Sequence, residues 1–106
     1  MTKEELLKIT LATAVVAVGD SKLTIKELTT SDREQYEMTV VKSTSKNLKA
    51  LLIVKSVITD DGNRMFGDDE INTVSQMPSS LTEALFNQIL ILNGMADGSL
   101  EDAEGK

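Results

Sequence analysis

The sequence has no cysteine and no histidine. Without cysteine there is neither a disulfide framework nor thiol chemistry. Without histidine, the Ser-His and Cys-His nucleophile arrangements disappear, along with most zinc and catalytic transition-metal sites. Aromatics make up only 3% of the chain, namely Tyr36, Phe66 and Phe86, so the core has to be aliphatic. Positive charge is in deficit: 11 Lys and Arg against 17 Asp and Glu leave a formal charge of −6. A nucleic-acid binder needs surplus Lys and Arg to release counterions, and no basic run or stacking aromatic cluster occurs. Nucleic acid and acidic membrane surfaces are therefore poor partners. The apolar stretch at residues 14–18 falls far short of a spanning helix. The start, Met1-Thr2-Lys3-Glu4-Glu5, is too charged for a signal peptide. These absences describe a soluble, intracellular chain.

What is present fits one domain. A chain of 106 residues is too short for two cores and buries roughly two thirds of its unfolded surface, so self-association would help its stability. The expected domain covers residues 1–96, and the polar, acidic end at 97–106 reads as a flexible, solubilising tail. Thr2 with Glu5 forms a capping box for a short helix at 3–9. Residues 14–18 and 23–26, joined by Gly19-Asp20-Ser21-Lys22, read as a β-hairpin. Ser31 with Glu34 is a second capping box, which decides for a helix over 32–42 although Tyr36-Glu37-Met38-Thr39-Val40 also alternates like a strand. Residues 43–46 form a loop. The most apolar run, 48–58, reads as a strand that turns at Asp60-Asp61-Gly62-Asn63 and returns through Arg64-Met65-Phe66. Asp68 is placed to cap a helix at 69–76, which Pro78 stops. Ser80 with Glu83 opens the best helix, 80–93, ended by Gly94. The fold class is α+β, a small antiparallel sheet with helices packed mainly on one face.

Catalysis finds no support in the spacing. Gly62 and Gly67 are isolated, no Gly-Lys-Ser/Thr follows either, and so no phosphate loop exists. The acidic turn at 60–70 fails as a calcium loop. Counting from Asp61, positions 5 and 12 are Met65 and Asn72 where oxygen ligands and glutamate are needed; counting from Asp60 puts Gly62 at position 3. A Ser-Lys pair or a carboxylate dyad is conceivable, and nothing favours either. The chain reads as a non-enzyme with no cofactor and no metal.

One feature does point to binding. On a helical wheel, Leu81, Ala84, Leu85, Ile89, Ile91 and Leu92 share one broad face of the last helix, while Phe86 and Leu90 form a second stripe among Thr82, Glu83, Asn87 and Asn93. Either a neighbouring segment, such as the first helix or the one at 69–76, covers that stripe, or a partner does. The expected interaction residues are Phe86, Leu90, Asn93 and Met95; Met77 and Met95, flanking the helix, suit an adaptable interface.

Read in order, several segments resemble the phage tail assembly chaperones, small proteins encoded just before the tape measure protein of long-tailed phages. Lys26-Glu27-Leu28-Thr29, leading to Arg33-Glu34 and Tyr36-Glu37, is similar to that family's strand-to-helix stretch, with Lys26 in place of Arg and the Arg33-Glu34 charges reversed. Residues 48–58 resemble its apolar strand, and Thr59-Asp60-Asp61-Gly62-Asn63-Arg64-Met65-Phe66 its acidic turn. Leu92-Asn93-Gly94-Met95 resembles the end of its last helix. Ile58-Thr59 and the short loop at 44–47 depart from the usual pattern. The resemblance covers roughly residues 14–96 and implies a task. Such a protein coats the tape measure protein, keeps it soluble, recruits tail tube subunits, self-associates, and is absent from the finished tail. It implies action in the bacterial host cytoplasm, and a longer form made by frameshifting near Glu104-Gly105-Lys106. A structural minor tail or head–tail connector subunit is the alternative.

Overall fold

The computed structural model describes residues 1–42 and 47–95; the loop expected at 43–46 and the tail expected at 97–106 lie outside them. The chain opens with helix α1 (Lys3–Leu7). Its capping box forms as read, with Glu5 N–H donating to Thr2 Oγ1 and Thr2 N–H to Glu5 Oε1, each at 3.1 Å. No residue of α1 is buried.

Strands β1 (Thr13–Val18) and β2 (Ser21–Lys26) then pair antiparallel, Thr13 opposite Lys26 and Val18 opposite Ser21. The Gly19-Asp20 link needs the left-handed backbone that Gly19 adopts (φ +59°), which a residue with a Cβ resists. Burial alternates along β1: Ala14, Val16 and Val18 turn toward the helices, while Thr13, Val15 and Ala17 are exposed. Strand β2 also pairs with the two-residue strand β3 (Val57–Ile58), giving the order β1-β2-β3. Beyond β3, the Asp60–Asn63 turn closes as expected, but Arg64 makes a single bridge to Ile58 rather than a returning strand.

Helix α2 (Thr30–Lys42) starts two residues before the predicted boundary, because Thr29 rather than Ser31 caps it: Thr29 Oγ1 accepts Asp32 N–H at 3.1 Å. The largest correction is α3 (Leu48–Ser56). The run at 48–58 is a helix, and only its last two residues are a strand. Residues Ala50 to Ser56 are all buried, so the segment is apolar on every side. A short run of that kind carries no period to separate a buried helix from a buried strand.

A 3-10 turn (Asp68–Glu70) leads into α4 (Ile71–Ser75). Asp68 does not cap it; Gly67 N–H donates to Glu70 Oε1 instead (2.9 Å). The Asp68 carboxylate is engaged elsewhere. Its Oδ1 lies 2.7 Å from Arg64 Nη2 and 3.2 Å from Lys55 Nζ, and Lys55 also reaches Asp32 Oδ1 at 3.6 Å. The Arg64 guanidinium, and after it Lys55, hold the Asp68 carboxyl below the usual carboxylate range. Lys55 is nearly buried on α3, so this cluster ties the start of α2 and the acidic turn to the core helix.

Helix α5 (Ser79–Leu92) closes the described chain. Ser80 lies within it rather than capping it, and Glu83 pairs with Lys49 of α3. Its end is as read. Gly94 takes φ +68°, Met95 N–H bonds to Leu90 O (2.7 Å) and Gly94 N–H to Ile91 O (3.1 Å), the paired bonds of a Schellman cap. The core is aliphatic: Ile25, Leu52, Ile53, Val54, Val57, Val74, Leu85 and Ile89 are essentially without exposure. Helix α5 covers the inner face of the sheet, and α3 packs against α5, α4 and α2. The architecture is α+β, as predicted.

A candidate docking groove between two helices

Two faces of α5 diverge in the structure. Leu85 and Ile89 go into the core, with Leu81 and Leu92 half-buried beside them, whereas Ile91, grouped with this face on the wheel, is 56% exposed. Phe86 and Leu90 are half-buried and pack on the margin of the core. Neither α1 nor α4 lies over them. Instead α2 stands opposite, and a groove of about 860 Å³ runs between the two helices. Phe86 and Leu90 form one wall, Tyr36, Val40 and Val41 the other, and Met95 closes one end. This volume and mostly apolar lining are typical of a ligand or peptide cleft.

Charges border the groove in matched pairs. Arg33 Nε is 3.5 Å from Glu37 Oε2 on α2. Glu83 is paired with Lys49, whose Nζ sits 5.5 Å from the centre of the Phe86 ring, close enough for cation–π attraction. Both pairs are about half exposed, so each is worth at most about 1 kcal/mol and can be exchanged for a partner's charges at little cost. Burial raises the Tyr36 hydroxyl pKa above its ordinary value. Among the described residues no group of acidic side chains is arranged to hold a metal ion.

Of the four residues expected to interact, Phe86, Leu90 and Met95 come together in the groove. Asn93 does not line it; its side chain is committed within the chain. Leu28 N–H donates to Asn93 Oδ1 (2.9 Å) and Asn93 Nδ2 donates to Ile89 O (2.8 Å), while Arg33 Nη1 reaches Asn93 O at 3.4 Å. Asn93 thus fastens the end of α5 to the β2–α2 connection and fixes the groove's closed end. Replacing it with alanine leaves the Leu28 N–H, on a residue only 6% exposed, without an acceptor. Asn93→Ala should cost about 1–3 kcal/mol, read as a lower urea midpoint, and Asn93→Asp, which keeps the acceptor, should cost less.

The α2 wall was not anticipated. Tyr36 and Val40 are four residues apart and so share a helical face, a spacing hidden by the strand-like alternation of the same segment.

No protein-family model matches the chain, and no curated protein matches it in sequence. Among solved structures it is similar to the tail assembly chaperone of bacteriophage HK97, with a TM-score of 0.66 and 20% identity over 89% of this chain and 95% of that one. Similarity of shape at that coverage leads to one statement: this chain has the fold of a phage tail assembly chaperone.

Proposed function

We propose that the chain is a tail assembly chaperone that binds the tape measure protein and keeps it soluble while tail tube subunits assemble around it. The shared fold is the observation that carries this reading. The groove supplies a means. A long helical partner presents apolar side chains at i, i+3 and i+4, and such a stripe docks into an apolar cleft between two helices. Phe86, Leu90 and Met95 on one side and Tyr36 and Val40 on the other offer anchors for it. The formal charge of −6 keeps a coated partner dispersed. In this reading the protein is not an enzyme, works in the bacterial host cytoplasm, self-associates, and leaves before the tail is complete.

Co-expression tests it. Tape measure protein made together with this chain should be recovered in the soluble fraction and co-purify with it; equal insolubility with and without the chain sinks the reading. Finding the chain in purified mature particles would point instead to a minor tail or connector subunit.

A further inference from the structure

We propose that a second copy of the chain pairs antiparallel with the free edge of β1, across a two-fold axis at Val15, joining two three-stranded sheets into one of six. This names a surface for the self-association suggested above and does not depend on the groove.

The register shows which groups are available. Glu27 N–H donates to Ala12 O at 2.7 Å, and in an antiparallel ladder alternate residues bond to the same neighbour. Ala14, Val16 and Val18 therefore bond toward β2, and Thr13, Val15 and Ala17 direct their N–H and C=O groups outward. The strand order makes this the sheet's edge, and no turn, loop or cap bond among the described residues reaches these three. Proteins blunt such edges with lysine, proline or a bulge. Thr13–Val18, TAVVAV, has no lysine and no proline, and its pairing with β2 is unbroken.

Charge argues for a second copy as the occupant. In a chain that is 26% charged, this strip carries no charge, so a partner selected by charge has nothing to read here. The nearest charges on the outer face are Lys22 and Lys26 of β2, opposite Ala17 and Thr13. In the two-fold pair, Thr13 meets Ala17 of the second copy and Val15 meets Val15. The two β2 strands then stand three strand spacings apart, about 14 Å, beyond a Debye length of about 8 Å at physiological salt. Copies that each carry −6 thus meet along an uncharged, self-complementary strip.

Strand pairing supplies about six hydrogen bonds but little area, and a stable dimer buries about 1,200–2,000 Å². The N-terminal arm can supply the rest. Leu6, Leu7, Ile9 and Leu11 are 57%, 73%, 64% and 37% exposed, and Val15 is 64% exposed. In the two-fold register the arm runs past the Gly19-Asp20 turn of the second copy, which brings these side chains against its surface.

Light scattering during gel filtration, in the micromolar range, should give twice the 11.5 kDa chain mass. Val15→Pro removes an outward N–H without touching the ladder to β2, and Val15→Lys opposes two like charges on the axis. Each should shift the protein to a monomer, raising the dissociation constant about tenfold or more, with an unchanged circular dichroism spectrum. If the proline variant unfolds, the lysine variant decides alone. A wild-type monomer, or an oligomer of the same mass in the folded variants, overturns the proposal. Solubilisation of tape measure protein is measured separately on groove variants, so failure of one reading does not imply failure of the other.

Discussion

If the groove binds tape measure protein as proposed, serine at both Phe86 and Leu90 should leave a folded chain that fails to hold that protein in solution. Both side chains line the groove while resting on the core margin, so truncation removes anchors with a limited loss of packing. Anchors in such a cleft are each worth about 2 kcal/mol or more, roughly thirtyfold in affinity for one of them. Two lost from the same wall should abolish co-purification. The measurement is the soluble fraction of co-expressed partner, beside a thermal melt of the variant alone. A variant that solubilises as well as wild type removes the groove from the mechanism. A variant that unfolds places the two side chains in the core, and Val41→Asp then tests the opposite wall. Val41 is 76% exposed, so its change should move stability by no more than about 0.5 kcal/mol.

The α5 wall of this groove was legible in the sequence because Phe86 and Leu90 lie about 100° and 140° round the wheel from Leu85, off the core-facing side. The α2 wall was not. Helix α2 buries no residue, and its Met38, Val40 and Val41 are exposed, so its pattern lacks the periodic stripe that packing against a core imposes. Asn93 was legible as a special position but not for its role. An asparagine at a helix end is equally suited to a partner and to its own chain, and only the approach of Leu28, 65 positions away in sequence, decides between them.

Local chemistry predicted what local bonds determine. Thr2 with Glu5, the hairpin around Gly19 and the stop at Gly94 all rest on contacts within a few residues, and all formed. The capping signals at Ser31, Asp68 and Ser80 failed because stronger claims intervened. Thr29 reached the α2 N-terminus first, Asp68 was drawn to Lys55 and Arg64, and Glu83 turned to Lys49. The misreading of 48–58 has a different cause: burial on all sides erases periodicity, and what settles the segment is the space between α5, α4 and α2.

That difference between strand and helix gives a prediction with a large effect. In a strand on a sheet covered on one face only, neighbouring side chains point to opposite sides, so one of Ile53 and Val54 would be exposed and tolerant. In α3 both are fully buried. Ile53→Ala should cost about 2–5 kcal/mol through lost transfer energy and the cavity left behind. Val54→Ala, losing two methyl groups, should cost about 1–3 kcal/mol on the same grounds. A domain of this size has only about 5–15 kcal/mol in hand, so the first change should lower the melting temperature by about 10 °C or more. If either substitution is silent, within about 0.5 kcal/mol by urea unfolding, the buried helix is wrong. Neither residue lines the groove, so partner binding by these variants should fall only with the fraction of chain that is folded, in contrast to the Phe86 and Leu90 double variant, which should stay folded and fail to bind.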